Sequence, residues 1–159
     1  VSKPFRRNHH GAPRLGKSRR ISHRKRNSRG GYTTCDRTIL AFLIVSKASN
    51  KTIGRCGFHN WYSDHKKAEI GYVIFKETDR NQGYLDEVLT VVLDYGFHVM
   101  NLNRIEACTS PNNAVSLHLL RKNGFIQEGH LRQHFVRNGE IEDTFIFSLL
   151  KEDFDKLST

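Results

Sequence analysis

An apolar strand and a glycine-containing loop follow one another in Ala68-Glu69-Ile70-Gly71-Tyr72-Val73-Ile74-Phe75 and Arg80-Asn81-Gln82-Gly83-Tyr84-Leu85. Apolar residues then recur every three or four positions up to Met100, which predicts a helix that begins at about Gly83. The first turn of such a helix offers free N–H groups and the positive end of the helix dipole. A glycine there lets an anion approach the backbone closely. The stretch therefore predicts a phosphate-binding loop at residues 80–85.

Further apolar runs on both sides of this stretch predict an ordered sheet. Strands are predicted at residues 39–45, 52–61, 67–75, 104–109, 125–135 and 140–150. A second helix is predicted at residues 114–122, capped by Asn112 or Asn113 and ended by Asn123-Gly124. Asn138-Gly139 predicts a tight hairpin turn, and a short helical segment is expected after residue 150. The order β-β-β-α-β-α-β-β indicates a mixed α/β fold in which two helices cover one sheet.

Positive charge is concentrated at the beginning of the chain. The 159 residues carry a formal net charge of +10. Residues 1–35 hold eleven Lys and Arg and no acid, whereas the rest holds fifteen bases and sixteen acids. We expect residues 1–35 to be a basic, disordered arm and residues 36–159 to form one folded domain. Three origins of the arm stay open: a native segment that contacts RNA or the ribosome, an organelle transit segment, or a frame-shifted or chimeric stretch.

The cysteines and the hydropathy pattern exclude several classes of protein. Cys35, Cys56 and Cys108 are odd in number and far apart, so neither a disulfide framework nor a CxxC site is expected. The histidines lack metal-ligand spacing, and we expect no metal site. No apolar run approaches the ~18 residues that a membrane span needs. We therefore expect a cytoplasmic protein with no membrane partner.

Five segments, in order along the chain, resemble motifs of the GNAT superfamily of acetyl-CoA-dependent N-acetyltransferases. They are residues 68–72, 80–87, 103–107, 111–116 and 124–129. The branch that they resemble most is that of the ribosomal-protein N-terminal acetyltransferases. The resemblance implies a central mixed, mostly antiparallel sheet that is splayed between its two central strands and flanked by helices. It implies that residues 36–159 are the acetyltransferase domain, and it does not extend to residues 1–35.

The resemblance also implies a binding site for acetyl-CoA. It assigns the loop to the pyrophosphate of coenzyme A, which backbone N–H groups would hold at Arg80, Asn81, Gln82, Gly83, Tyr84 and Leu85. Leu85 stands where the family has a small residue, a change that backbone donors tolerate. A backbone N–H at Val73, Ile74 or Phe75 would polarise the thioester carbonyl. Asn113 would hydrogen-bond the pantetheine arm between the splayed strands.

A general acid is implied at Ser116. Acetyl transfer needs a proton for the leaving thiolate. Many relatives supply it from a tyrosine four residues before a Gly-Phe pair, but Leu120 occupies that position. The ribosomal-protein branch uses the serine of an N-x-x-S motif instead, which is Ser116 here.

The general base has more than one candidate. Glu69 lies where many family members carry a glutamate that relays the amine proton through water, although an outward-facing strand carboxylate is as good an interpretation. Some relatives place the base on the strand after Gly-Phe, but that position holds Phe135. Strand alternation is expected to point His134 to the opposite face. The amine proton could also pass directly to solvent.

The expected function is transfer of acetyl from acetyl-CoA directly to a primary amine. The expected acceptor is a protein N-terminus, such as that of a ribosomal protein, with a small amine as second choice. An alternative function follows from the basic arm: a ribosome- or RNA-associated binding protein on a GNAT scaffold, with weak or no catalysis.

Overall fold

The computed structural model describes residues 33–34 and 37–157. The arm predicted for residues 1–35 therefore lies outside the described residues, except for a two-residue strand at its end. In the described part, seven strands form one sheet in the order β1-β2-β3-β4-β5-β7-β6. Their bounds are Thr33–Thr34, Arg37–Ser46, Lys51–Tyr62, Lys67–Ile74, Arg104–Thr109, Ile126–Arg137 and Glu140–Leu150, numbered β1 to β7 in chain order. Of the neighbouring pairs, β4–β5 is parallel and the others are antiparallel. This is the mixed, mostly antiparallel sheet that the sequence predicts.

Helices follow β4, β5 and β7. They are α1 (Tyr84–Asp94), α2 (Ala114–Lys122) and α3 (Lys151–Leu157). The α1 helix widens into a π-helical turn at Tyr95–Val99, where Gly96 packs so closely on Phe58 that a Cβ would lie 2.6 Å from its ring. Among the described residues, no helix has the length and apolar character that a membrane crossing requires.

The core lies between the helices and one face of the sheet. Buried residues of α1 and α2 pack against Phe58, Ile70, Ile105 and Phe147. On β4 the side chains of Ala68, Ile70 and Ile74 are buried, whereas Val73 is exposed. Alternation along the strand thus places Glu69 and Gly71 on the face that lacks this core.

The sheet opens between its two central strands. The parallel ladder pairs Lys67 with Arg104, Ala68 with Ile105 and Glu69 with Glu106. Beyond Glu69, β4 runs on to Ile74 and β5 runs on to Thr109 without further pairing to each other. The predicted splay between the two central strands is therefore confirmed, and we call this opening the gap.

Among the register shifts in the described strands, two lie near Glu69 or its neighbours on β7. In β3, His59 pairs with Glu69 and Tyr62 with Lys67, so β3 holds one extra residue there. In β6, Leu131 pairs with Thr144 and Phe135 with Glu142, so β6 holds two extra residues. Each bulge changes which side chains of its strand share a face.

Candidate active site

The predicted phosphate loop lies at the start of α1, directly after β4. Gly83 is the N-cap of α1 with φ +80°, a conformation that costs a glycine little, and Asn81 is also left-handed at φ 58°. A Cβ on Gly83 would meet nothing within 4 Å, so the space over the helix end is open. The Asp86 N–H donates to the Gly83 carbonyl at 3.1 Å, whereas the N–H groups of Tyr84 and Leu85 have no carbonyl of the preceding turn to bond. Backbone donors here can therefore reach an anion, while the Leu85 side chain packs toward the core.

The loop side chains are exposed. Arg80, Asn81, Gln82 and Gly83 all lie at the surface. The Arg80 guanidinium lies 3.5 Å from the Glu77 carboxylate, an exposed pair that contributes little to stability. Arg80 thus adds positive charge beside the helix end without being fixed there.

The hydrogen bonds of β4 show which of its three candidate N–H donors, at residues 73–75, face the gap. The Phe75 N–H donates to the Ile53 carbonyl at 2.9 Å, so it faces β3. In an antiparallel pair, N–H groups two residues apart point the same way, and the Val73 N–H therefore faces β3 as well. The Ile74 N–H points to the gap. Of the three expected donors, the Ile74 N–H is the one that faces away from the β3–β4 ladder.

Asn113 and Ser116 lie together on the other side of the gap. The side-chain oxygen of Asn113, Oδ1, accepts a hydrogen bond from the Ser116 backbone N–H at 3.1 Å and so caps α2. This bond uses the oxygen of the amide, and its NH₂ group remains able to donate. Asn113 is exposed and Ser116 is half-buried.

The Ser116 side chain contacts β4 across the gap. It lies beside the Tyr72 phenol, whose pKa is raised by burial and lowered in part by the Ser116 hydroxyl. Leu120, at the position of the tyrosine acid of many relatives, is fully buried. A tyrosine hydroxyl therefore does reach this site, but it comes from β4.

Glu69 is held by three neighbours at the point where β4 and β5 separate. Asn60 Nδ2 donates to its Oε2 at 2.8 Å, and His59 Nδ1 lies 3.7 Å from the same oxygen. The Cys108 thiol lies beside Glu69, and burial together with the Glu69 charge raises the pKa of Cys108 to about 12. The His59 ring covers Gly71, since a Cβ there would lie 3.0 Å from Nε2. The Glu69 carboxylate is thus hydrogen-bonded to a neighbouring side chain and differs from a carboxylate that contacts only solvent.

A pocket of about 350 Å³ opens beside Glu69. Its wall includes His59, Glu69, Cys108, His134, Phe135, Glu142 and Asp143. Both His134 and Phe135 contribute to this wall, so the expected alternation of these two residues is wrong. The reason is the bulge of β6, in which Gln133 has φ 52° and donates its N–H to Asp143 Oδ1 at 2.7 Å. The wall carries three carboxylates, Glu69, Glu142 and Asp143, and also Arg137, whose Nε lies 3.6 Å from Glu142 Oε1.

Residues 11–126 match the family described as the acetyltransferase (GNAT) domain. The chain belongs to this family. Uncharacterized N-acetyltransferase YoaA of Bacillus subtilis is 42% identical over 108 residues, which are 68% of this chain and 60% of YoaA. YdaF of the same organism, named as a candidate ribosomal N-acetyltransferase, is 32% identical over 102 residues, 64% of this chain and 55% of YdaF. The chain thus spans about three fifths of these GNAT relatives.

A solved GNAT structure shares the fold. A mutant of the spermidine N-acetyltransferase SpeG from Vibrio cholerae superposes with a TM-score of 0.70 at 23% identity. The match covers 79% of this chain and 72% of SpeG. The GNAT family match begins at residue 11, inside the predicted arm. Because the arm lies outside the described residues up to Thr33, the domain boundary at residue 36 stays a prediction.

A network of charged side chains connects the strands next to the paired part of β4 and β5. Arg104 Nη1 donates to Glu128 Oε1 at 3.0 Å, and its Nε donates to Glu106 Oε1 at 2.9 Å. Ser148 Oγ donates to Glu128 at 2.6 Å. These bonds lower the pKa of Glu128 to about 2. The network joins β5, β6 and β7 at the level where the β4–β5 ladder ends.

Sequence reasoning missed Tyr72, His59, Asn60 and Cys108. Tyr72 could have been found, because it follows the motif glycine and shares a strand face with the apolar Ile70 and Ile74. The positions of His59 and Asn60 depend on the register of β3 against β4, for which the sequence carries no signal. Within the residues that the structure describes, no cluster of three or more His, Cys, Asp or Glu could hold a metal ion.

Proposed function

We propose that this chain is an acetyl-CoA-dependent N-acetyltransferase that moves an acetyl group directly to a primary amine. The gap is the observation that carries this proposal. Two adjacent strands pair over three residues and then continue unpaired, which leaves a slot between them that leads from the phosphate loop to Glu69. The narrow pantetheine arm of acetyl-CoA fits such a slot.

The residues around the gap fit acetyl-CoA. The pyrophosphate would lie at the N-terminus of α1, where Gly83 leaves the backbone open and Arg80 adds charge. The Asn113 amide would donate to the pantetheine arm. When bound, acetyl-CoA supplies an activated thioester. The Ile74 N–H, directed into the gap, would then stabilise the negative charge that develops on the carbonyl oxygen.

Ser116 and Tyr72 supply the acid side of the reaction. Their hydroxyls lie next to each other beside the gap. Ser116 gives its proton to the leaving thiolate, and Tyr72 holds the serine hydroxyl in place. This assignment keeps the serine of the N-x-x-S motif as the acid.

Glu69 supplies the base side. Its carboxylate is fixed by donors at the inner end of the pocket, and it would accept the amine proton through a water molecule. Because Glu69 and Ser116 lie on opposite faces of the sheet, the two proton transfers would be separated by the gap itself.

The acceptor we propose is the N-terminus of a protein. The name of YdaF supports a ribosomal protein as the source of that N-terminus. A small polyamine is a second candidate, favoured by the excess of three carboxylates over one arginine in the pocket wall and by the name of SpeG. Both acceptors present a primary amine that is cationic in solution.

Calorimetry and an acceptor screen test this function. Acetyl-CoA is expected to bind with micromolar affinity, and no heat at suitable concentrations would contradict the site. The screen would compare spermidine with short peptides that have a free N-terminus, and would follow release of the free thiol of coenzyme A. Acetylation of the peptides supports the first acceptor, and acetylation of spermidine alone supports the second.

A further inference from the structure

Asn60 has an unusual position in β3. Among the described residues, seven non-glycine residues have positive φ. Five of them lie in turns, in the phosphate loop or after a helix, where the chain changes direction. Asn60, with φ 47°, and Gln133 lie inside strands, and both belong to bulges that border the pocket.

The bulge turns the Asn60 side chain toward Glu69. In a regular strand, successive side chains point to opposite faces, so Asn60 would point away from the face that His59 shares with Glu69. The extra residue between His59 and Tyr62 breaks this alternation. As a result, Asn60 Nδ2 lies 2.8 Å from Glu69 Oε2. Bulges beside active sites redirect side chains in this way.

The conformation has a cost that the bond to Glu69 offsets. A left-handed backbone is disfavoured for a residue with a Cβ, and asparagine is among the residues that tolerate it best. Such strain persists where the surroundings hold it and is concentrated at functional sites. Here a half-buried carboxylate at the end of the β4–β5 ladder supplies the holding contact.

We propose that Asn60 is a positioning residue for acetyl transfer, which fixes the Glu69 carboxylate at the inner end of the pocket. The proposal rests on the proposed function, in which Glu69 accepts the amine proton. Asn60 donates to the carboxylate from the side of β3, and the Cys108 thiol adjoins the same carboxylate from the side of β5. The bond from Asn60 holds the carboxylate toward the pocket. Asn60 itself does not touch the reacting atoms.

The test compares Asn60→Gly with a matched control. Glycine keeps the left-handed backbone of the bulge and removes the amide that donates to Glu69. Asn138→Gly is the control, because Asn138 has φ 52° in the β6–β7 turn, away from Glu69. We expect kcat of Asn60→Gly to fall about tenfold, as for loss of one hydrogen bond to a charged group. The KM for acetyl-CoA should stay unchanged, and Asn138→Gly should keep the wild-type kcat.

A double-mutant cycle separates positioning from a general structural effect. In the Glu69→Gln background, Asn60→Gly should lower kcat less than about twofold, because the group that it positions has lost its role. An equal loss in both backgrounds, or no loss in either, would overturn the proposal. The amine for these assays is whichever of spermidine or the peptides the wild type acetylates.

The failure of the proposed function has a different signature. A wild-type kcat in Glu69→Gln would remove Glu69 from the base role whatever Asn60→Gly does. No acetyl transfer by the wild-type chain to any amine of the screen would overturn the proposed function, and the role of Asn60 with it. A loss in Glu69→Gln without a loss in Asn60→Gly overturns the positioning role alone.

Discussion

Lys122 at the end of α2 and Asp86 in the first turn of α1 form an ion pair, with 3.0 Å between Nζ and Oδ2. These two helices follow the two strands that separate at the gap, so the pair joins the two sides of the site. Lys122 is exposed and Asp86 is half-buried, and ion pairs this accessible to solvent contribute about 0–1 kcal/mol to stability. The pair is therefore expected to affect ligand binding more than folding.

Removal of the lysine tests this expectation. In Lys122→Met, the Asp86 carboxylate loses its counter-charge three residues after Gly83 and would repel the phosphates of acetyl-CoA. We expect the Kd measured by calorimetry to rise roughly threefold at low salt, with a smaller effect at high salt because of screening. Lys156→Met, which removes a pair with Asp153 in α3, is the control. Equal affinities in the two variants would contradict a role at the site.

Gly83→Ala should weaken binding through the backbone. The added Cβ meets open space, but φ +80° costs an L-residue about 1–2 kcal/mol, so the start of α1 should shift. Gly139→Ala is a matched control, with φ +86° and open space in the hairpin turn. Both variants should lose similar stability in thermal unfolding, while only Gly83→Ala loses affinity for acetyl-CoA. Unchanged affinity would move the pyrophosphate site elsewhere.

Ser116→Ala should lower kcat without unfolding the chain. The Ser116 N–H that donates to the capping Asn113 side chain is retained, and only the hydroxyl beside Tyr72 is lost. General acids contribute about 10²–10⁴-fold, and we expect a loss of about 100-fold in kcat with unchanged Kd for acetyl-CoA. Turnover at the wild-type rate would exclude Ser116 as the acid. A larger loss in Tyr72→Phe than in Ser116→Ala would transfer that role to Tyr72.

The Glu128 network predicts a pH dependence of stability. The pKa of Glu128 is lowered from 4.5 to about 2 in the folded chain, chiefly by the Arg104 bond. A lowered carboxyl pKa stabilises the folded state above the ordinary value, and this contribution is lost as the pH falls toward 2. The difference in Tm between wild type and Glu128→Gln should therefore be largest above about pH 5 and should shrink on acidification. Parallel profiles would contradict the network, whose effect is moderate because Glu128 is 43% exposed.

The RNA-binding alternative is tested by removal of the arm. Deletion of residues 1–31 keeps β1 at Thr33–Thr34 and removes the eleven bases of the arm. If the arm neutralises phosphates, the full chain should bind RNA with an affinity that falls steeply with salt, and the deletion should abolish this binding. RNA affinity that survives the deletion would exclude the arm as its source.

Periodicity predicted the regular elements because local patterns determine them. The strands at residues 104–109 and 140–150 and the helix at residues 114–122 have the predicted bounds. The tight turn at Asn138-Gly139 is confirmed, since both residues have positive φ. These features depend on residues close in sequence, so the sequence alone suffices.

The candidate site was predicted less completely because contacts between distant strands shape it. The left-handed Asn60 is held by Glu69, nine residues away, and Gln133 is held by Asp143, ten residues away. Neither bulge has a local signal, and each changes which side chains face the pocket. The error at His134 follows directly from this, as does the absence of Asn60 from the predicted site.

Three residue pairs form the whole seam between two half-sheets, β1–β4 on one side and β5–β7 on the other. Beyond the seam, the facing backbone edges lack the partner that a continuous sheet would provide. The pantetheine arm carries amide groups of its own. Bound in the gap, acetyl-CoA would therefore hydrogen-bond to these backbone edges in place of a strand. The concentration of acetyl-CoA would then set both the rate of the reaction and the free energy of unfolding of the protein, because a ligand that binds only the folded state stabilises it.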